Sequence, residues 1–197
     1  MKNIEYFFDC SSPWTYLSFR GILELRDKKD FEIIWKPILV GGIFNSINPS
    51  VYESRKNPVE EKLKYSQKDL KDWANLRNLE INWPKIFPIN SVKAMRGAFH
   101  FIERNTLEDY LESVFSGYWT HGKDISNIDT LLKIVEKLGE DQEQYLEVVN
   151  SEEAKQNLIE NTQELMERGG FGSPTFFVNG DDMYFGNDRI QLIEDII

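Results

Sequence analysis

The sequence predicts an α/β fold: a small sheet core, split in the chain as βαβ at one end and ββα at the other, interrupted by a large all-helical insertion. Three observations carry this. A β-branched and aromatic run at residues 4–8 leads into a proline-led helix and a second, alternating strand; Asn179-Gly180 divides two apolar runs; and residues 51–168 show helical periodicity with almost no strand pattern. The predicted division is a core of residues 1–50 and 169–197 and a helical insertion of residues 51–168.

Ile4-Glu5-Tyr6-Phe7-Phe8 forms the first strand and runs into the turn Asp9-Cys10-Ser11-Ser12. Ser12 is a favoured helix N-cap, and Pro13 suits the first helical position because the N–H it lacks would be unpaired there anyway. Tyr16, Leu17, Phe19, Ile22 and Leu23 give that helix an apolar face, and Lys28-Lys29-Asp30 ends it. Phe31, Ile33 and Trp35 alternate with Glu32 and Lys36 in a second strand that stops at Pro37. Gly41-Gly42-Ile43-Phe44-Asn45-Ser46-Ile47-Asn48-Pro49 reads as a glycine-led loop.

In the insertion, Leu63, Leu70, Trp73 and Ala74 mark one helix. Ile128, Leu131, Leu132, Val135 and Leu138 mark another, opened by Ser126 and closed by Gly139. Ala154, Leu158, Thr162 and Leu165 mark a third, ending at Gly169-Gly170. Residues 175–178 and 183–185 then flank Asn179-Gly180, a type I′ hairpin signal, and Asn187 is placed to cap a last helix with Ile190, Ile193 and Ile197 on one face. The βαβ and ββα units are the two halves of a thioredoxin-like fold.

Composition narrows the function. The 197 residues contain one cysteine and two histidines, so neither an internal disulfide nor a cysteine/histidine zinc site is available. A formal net charge of −10 disfavours generic attraction to nucleic acid or anionic membrane. No run of about 18 apolar residues is present to span a bilayer. The expectation is a cytoplasmic protein in a reducing compartment.

The turn from the first strand to its helix is where a ligand meets free backbone N–H groups and the positive end of a helix dipole. A redox thioredoxin carries two cysteines across it; here the corresponding pair is Ser12 and Thr15, and Cys10 lies two residues too early. A hydroxyl at the helix start can donate to a thiolate brought by another molecule, and glutathione is the natural candidate. Gly172-Ser173-Pro174-Thr175 places a proline just before a strand, a setting in which a cis bond is to be suspected. Gly186-Asn187-Asp188-Arg189 offers groups suited to the carboxylate and the ammonium of a γ-glutamyl end.

Six strings, in order, resemble the DsbA-like branch that contains 2-hydroxychromene-2-carboxylate isomerases and kappa-class glutathione transferases. They are Phe8-Asp9-Cys10-Ser11-Ser12-Pro13-Trp14-Thr15-Tyr16-Leu17, Gly41-Gly42-Ile43-Phe44, Asp69-Leu70-Lys71-Asp72-Trp73-Ala74, Phe87-Pro88-Ile89-Asn90-Ser91-Val92-Lys93-Ala94-Met95-Arg96, Phe171-Gly172-Ser173-Pro174-Thr175 and Phe185-Gly186-Asn187-Asp188-Arg189. The resemblance implies that Ser12, followed by Pro13, faces the glutathione sulfur and that Asn48 contacts the tripeptide. It further implies that Ser173, before Pro174, pairs with the cysteinyl backbone, and that Asn187 with Asp188 clamps the γ-glutamyl end. Ser173 stands where the family usually has an aliphatic residue.

The segment from Trp119 through Gly122 to Ile125 is similar to the family stretch that lines the substrate side. Trp14, Trp83, Phe87 and Trp119 are candidates to wall an aryl substrate, and Lys36, Lys93, Arg96 and Arg189 to balance carboxylates. The implied activity is a glutathione-dependent isomerase acting on an aromatic substrate, with a kappa-like transferase or a non-catalytic thiol- or peptide-binding module as alternatives. A homodimer is implied by the same resemblance.

Overall fold

The computed structural model describes residues 2–197. Its centre is a four-stranded sheet of β1 (Asn3–Phe8), β2 (Glu32–Pro37), β3 (Thr175–Val178) and β4 (Asp182–Phe185), in the order β2-β1-β3-β4. β1 and β2 run parallel, with Tyr6 opposite Trp35, and are joined by the helix α1 (Pro13–Arg26). β3 pairs antiparallel with both β1 and β4. This is the βαβ and ββα arrangement expected of a thioredoxin-like core.

Period-2 alternation sends β1 into two cores. Ile4, Tyr6 and Phe8 join Tyr16, Phe19, Ile22 and Leu25 of α1, whereas Phe7 turns to the other face and packs with Ile38, Ile43, Leu165 and Phe177. Both faces of the sheet are therefore covered by helices. Tyr6 stacks on Phe176 of β3 with centroids 4.8 Å apart.

Residues 40–167 supply α2 (Val40–Ser46), α3 (Ser50–Lys56), α4 (Glu60–Leu76), α5 (Val92–Ile102), α6 (Leu107–Phe115), α7 (Ile128–Lys137), α8 (Gln142–Asn150) and α9 (Glu152–Glu167). α6 continues into one π-turn, Ser116–Thr120. The larger hydrophobic cluster holds residues of β1 and α1 together with Met95, Phe101, Tyr110, Phe115, Trp119 and Tyr145, so helical and sheet regions share packing. Tyr16 of α1 stacks on Phe115 at 5.1 Å. Along α4, Ala74 alone is buried, and Leu63 of the expected apolar face is 45% exposed.

Several expectations shift locally. Of the segment expected as a loop, residues 41–46 are helical and make up most of α2, while residues 47–49 form the non-helical junction to α3. α7 is capped by Asn127, whose side chain accepts from Asp129 N, because Ser126 turns its hydroxyl to Asp124 instead. The β3–β4 hairpin is present, but Val178 pairs with Asp182, leaving a three-residue tip in which Asn179 and Gly180 have φ of 49° and 110°. Asn187 does not cap the last helix. It begins a 3₁₀ turn, Asn187–Arg189, which leads into α10 (Ile190–Glu194), and the reversal at Gly186 (φ 111°) sets its direction.

Candidate functional site

The β1–α1 turn is fastened to the segment ahead of β3. Ser12 is the N-cap of α1, its Oγ accepting from Thr15 N at 3.3 Å, and the same hydroxyl donates to the carbonyl oxygen of Ser173 at 3.3 Å. The bond to Ser173 O is longer than the ~2.7–2.8 Å usual for a hydroxyl donor, so re-aiming this proton toward a better acceptor costs little. Ser12 remains half-buried, at the positive end of a 14-residue helix. The Ser173-Pro174 peptide bond is cis.

Thr15 engages the same neighbour. Its Oγ1 lies 2.8 Å from Ser173 Oγ, which also accepts from Asp9 N at 3.0 Å. The two hydroxyl residues at the dithiol positions thus both meet Ser173, one through its carbonyl and one through its side chain. Ser173 is a satisfied buried partner of Thr15.

Asp9 was not singled out by sequence, although a carboxylate closing an apolar strand is itself a signal. It is fully buried, with Oδ1 accepting from Ser11 N and Oδ2 from Val40 N, each at 2.9 Å. Burial pushes its carboxyl above the ordinary value, opposed by these N–H groups and by the Ser91 hydroxyl. Asp9 therefore ties the site turn to the start of α2. Burial, then the Asp9 charge, pushes the Cys10 thiol well up, so it stays protonated and is no competing nucleophile.

The aromatic candidates form a graded wall. Trp119 is fully buried and its Nε1 donates to Cys10 O at 2.9 Å, which anchors it two residues from Ser12. Phe87, half-buried, lies 6.2 Å from Trp119 and 4.7 Å from Trp83, which is 59% exposed. Phe87 precedes a second cis bond, Phe87-Pro88. Trp14 is half-buried on the first turn of α1.

The other candidates divide. Asn48 Nδ2 donates to Phe171 O at 3.1 Å, fixing the α2–α3 junction beside the Ser173 segment. Gly186 N donates to Pro174 O at 3.1 Å, which brings the Asn187–Asp188 turn to the same place. Asn187 is buried and its Nδ2 has no acceptor, an expensive arrangement that a bound carboxylate or carbonyl would relieve. Asp188 is paired at 3.3 Å with Arg189. Lys36 is bound instead to Glu164 at 2.9 Å, and Lys93 and Arg96 line a separate pocket with Asn90, Ser126 and Asn150. Among the described residues no group of three acidic, histidine or cysteine side chains is placed to hold a metal ion, and no helix is long and apolar enough to cross a membrane.

The family model described as a DSBA-like thioredoxin domain matches residues 3–197. The chain belongs to that family. Within the DSBA-like thioredoxin family it is similar to the 2-hydroxychromene-2-carboxylate isomerase of Pseudomonas sp. (strain C18), 29% identical over 198 residues, covering 98% of this chain and 89% of that one. It is also similar to human glutathione S-transferase kappa 1, 26% identical and covering 100% of this chain and 91% of the relative. A solved 2-hydroxychromene-2-carboxylate isomerase superposes with a TM-score of 0.82 at 26% identity, covering 98% of this chain and 93% of that one. Against this family background, the hydroxyl pair Ser12 and Thr15 leaves the DSBA-like scaffold here without a dithiol.

Proposed function

We propose that the protein is a glutathione-dependent isomerase of the 2-hydroxychromene-2-carboxylate isomerase type. The observation that carries this reading is Ser12: a half-buried hydroxyl at the N-terminus of α1, loosely held by Ser173 O, with Thr15 and not a cysteine at the second dithiol position. Such a group is suited to holding a visiting thiol in its ionised form, because the hydroxyl and the helix dipole both favour negative charge there. The similarity to named isomerases over nearly the whole chain supports the choice of reaction.

When bound, glutathione supplies a thiolate that adds reversibly to the conjugated, ring-opened substrate, permits rotation about the former double bond, and is released unchanged. The chain's own share is electrostatic and positional. Ser12 stabilises the sulfur charge, the backbone of Ser173 with Pro174 aligns the cysteinyl unit, and Asn48, Asn187 and Asp188 hold the ends of the tripeptide. The orphaned Asn187 amide fits this role, since it is a buried donor in need of an acceptor. Trp14, Phe87 and Trp119 border the aromatic substrate. A homodimer in the cytoplasm accompanies this reading, supported by apolar surface at Val59, Leu63, Tyr65 and Leu76 of the α4 region.

The second reading is a kappa-like transferase, favoured by the full-length similarity to kappa-class relatives. Stoichiometry separates the two. With 2-hydroxychromene-2-carboxylate as substrate, the isomerase reading expects free thiol to stay constant over many turnovers. Loss of one glutathione per product would overturn it in favour of conjugation.

A further inference from the structure

Arg55 lies on α3, outside every residue set considered above. Its guanidinium stands over two aromatic rings, 5.5 Å from the centroid of Phe44 on α2 and 5.2 Å from that of Phe87. Phe87 is the middle member of the Trp83–Phe87–Trp119 wall, whose buried end is bonded to Cys10. The segment that carries Arg55 is also fixed on the other side, through Asn48 to Phe171. α2 and α3 therefore span from the Ser173 segment to the Phe87 loop, and Arg55 is the cation at the Phe87 end of that span.

Its charge is uncompensated. No carboxylate lies within 4.0 Å of Arg55 among the described residues, although the chain carries 33 acidic against 23 basic side chains. Contact with ring faces leaves the in-plane N–H donors of a guanidinium free, in the fork geometry that matches a carboxylate. Aromatic surface and an unpaired fork side by side suit one class of molecule: a planar aromatic acid. Lys36 is neutralised by Glu164 and Lys93 and Arg96 line another pocket, so neither duplicates this arrangement.

We infer that Arg55 is a specificity-determining residue, receiving the carboxylate of an aromatic acid that lies against Phe87 and Trp83. This rests on the proposed function only in placing the reacting thiol nearby; the anion contact itself does not require glutathione.

The test is calorimetric titration of 2-hydroxycinnamate and of its neutral amide onto wild type, Arg55→Gln and Arg55→Lys, with and without glutathione. Loss of one charge-assisted contact should weaken the acid about tenfold or more in Arg55→Gln. The amide should stay within about twofold, and Arg55→Lys should recover part of the loss, as one point charge replaces a fork. Equal weakening of acid and amide would reduce Arg55 to a packing residue and overturn the inference, as would unchanged binding of both or no binding of the acid to wild type. Failure of glutathione alone to bind wild type would count against the isomerase reading, whereas the acid–amide difference measured without glutathione would still decide Arg55.

Discussion

The hydroxyl of Ser12 donates to the carbonyl oxygen of Ser173 across 161 positions of sequence, at 3.3 Å. That contact joins the two halves of the split core at the point where the proposed chemistry occurs. Around it, Thr15 and Asp9 reach the Ser173 side chain, so the turn is held by polar contacts on one side and by the Trp119–Cys10 bond on the other.

Thr15→Val tests the buried hydroxyl pair. It removes one partner of Ser173 Oγ while keeping the shape, although Asp9 N still donates to that oxygen. The expected loss is about 1–2 kcal/mol of unfolding free energy. Urea denaturation of wild type, both single variants and the Thr15→Val/Ser173→Ala double variant should show coupling between the two positions; additive losses would separate them.

Asn187→Leu should split stability from binding. The amide nitrogen has no partner, so an apolar side chain of similar size should leave unfolding free energy unchanged or raise it by about 1 kcal/mol. Glutathione affinity should fall at least about tenfold. A variant that loses stability but binds normally would show that the amide serves the fold.

Trp119→Phe keeps most of the buried ring and deletes the donor to Cys10 O. Leaving that carbonyl unpaired should cost about 1–3 kcal/mol. Turnover should drop more steeply than thermal stability, because the affected backbone leads directly to Ser12. Equal activity per folded molecule would limit Trp119 to packing.

Asp9 gives the pH dependence its sign. Its carboxyl titrates above the ordinary value when folded, so the native state binds more protons than the unfolded chain between the unfolded and folded pKa values. The associated stability is present at low pH and is lost as pH rises through the folded pKa. Relative to Asp9→Asn, which does not titrate, wild type should lose ground as pH is raised above about 4 and then level off. Urea unfolding across that range would contradict this if the difference grew in wild type's favour.

Much of the framework was legible because it depends on local pattern. The strand alternation at Ile33 and Trp35, the proline start of α1 and the Asn179-Gly180 tip each have a short-range physical cause. What escaped was set by distant partners. Two glycines masked α2, whose start is fastened by the remote Asp9 carboxylate. Ser126 lost its capping role to Asn127 through a bond to Asp124, and Asn187 became part of a 3₁₀ turn under Gly186. For the candidate site, motif order named Ser12, Asn48 and Ser173, but not that Thr15 would share Ser173, nor that Lys36 would be spent on Glu164. Those pairings follow from tertiary proximity, which periodicity does not encode.

In the proposed reaction Ser12 lowers the pKa of a bound glutathione thiol. Ultraviolet thiolate absorbance of glutathione bound to the protein, titrated against pH in wild type and Ser12→Ala, measures this directly. The bound thiol pKa is expected well below the ordinary value of about 8.5 in wild type, returning by at least about one unit toward it in Ser12→Ala. Identical pKa values in the two proteins, with glutathione bound to both, would contradict it.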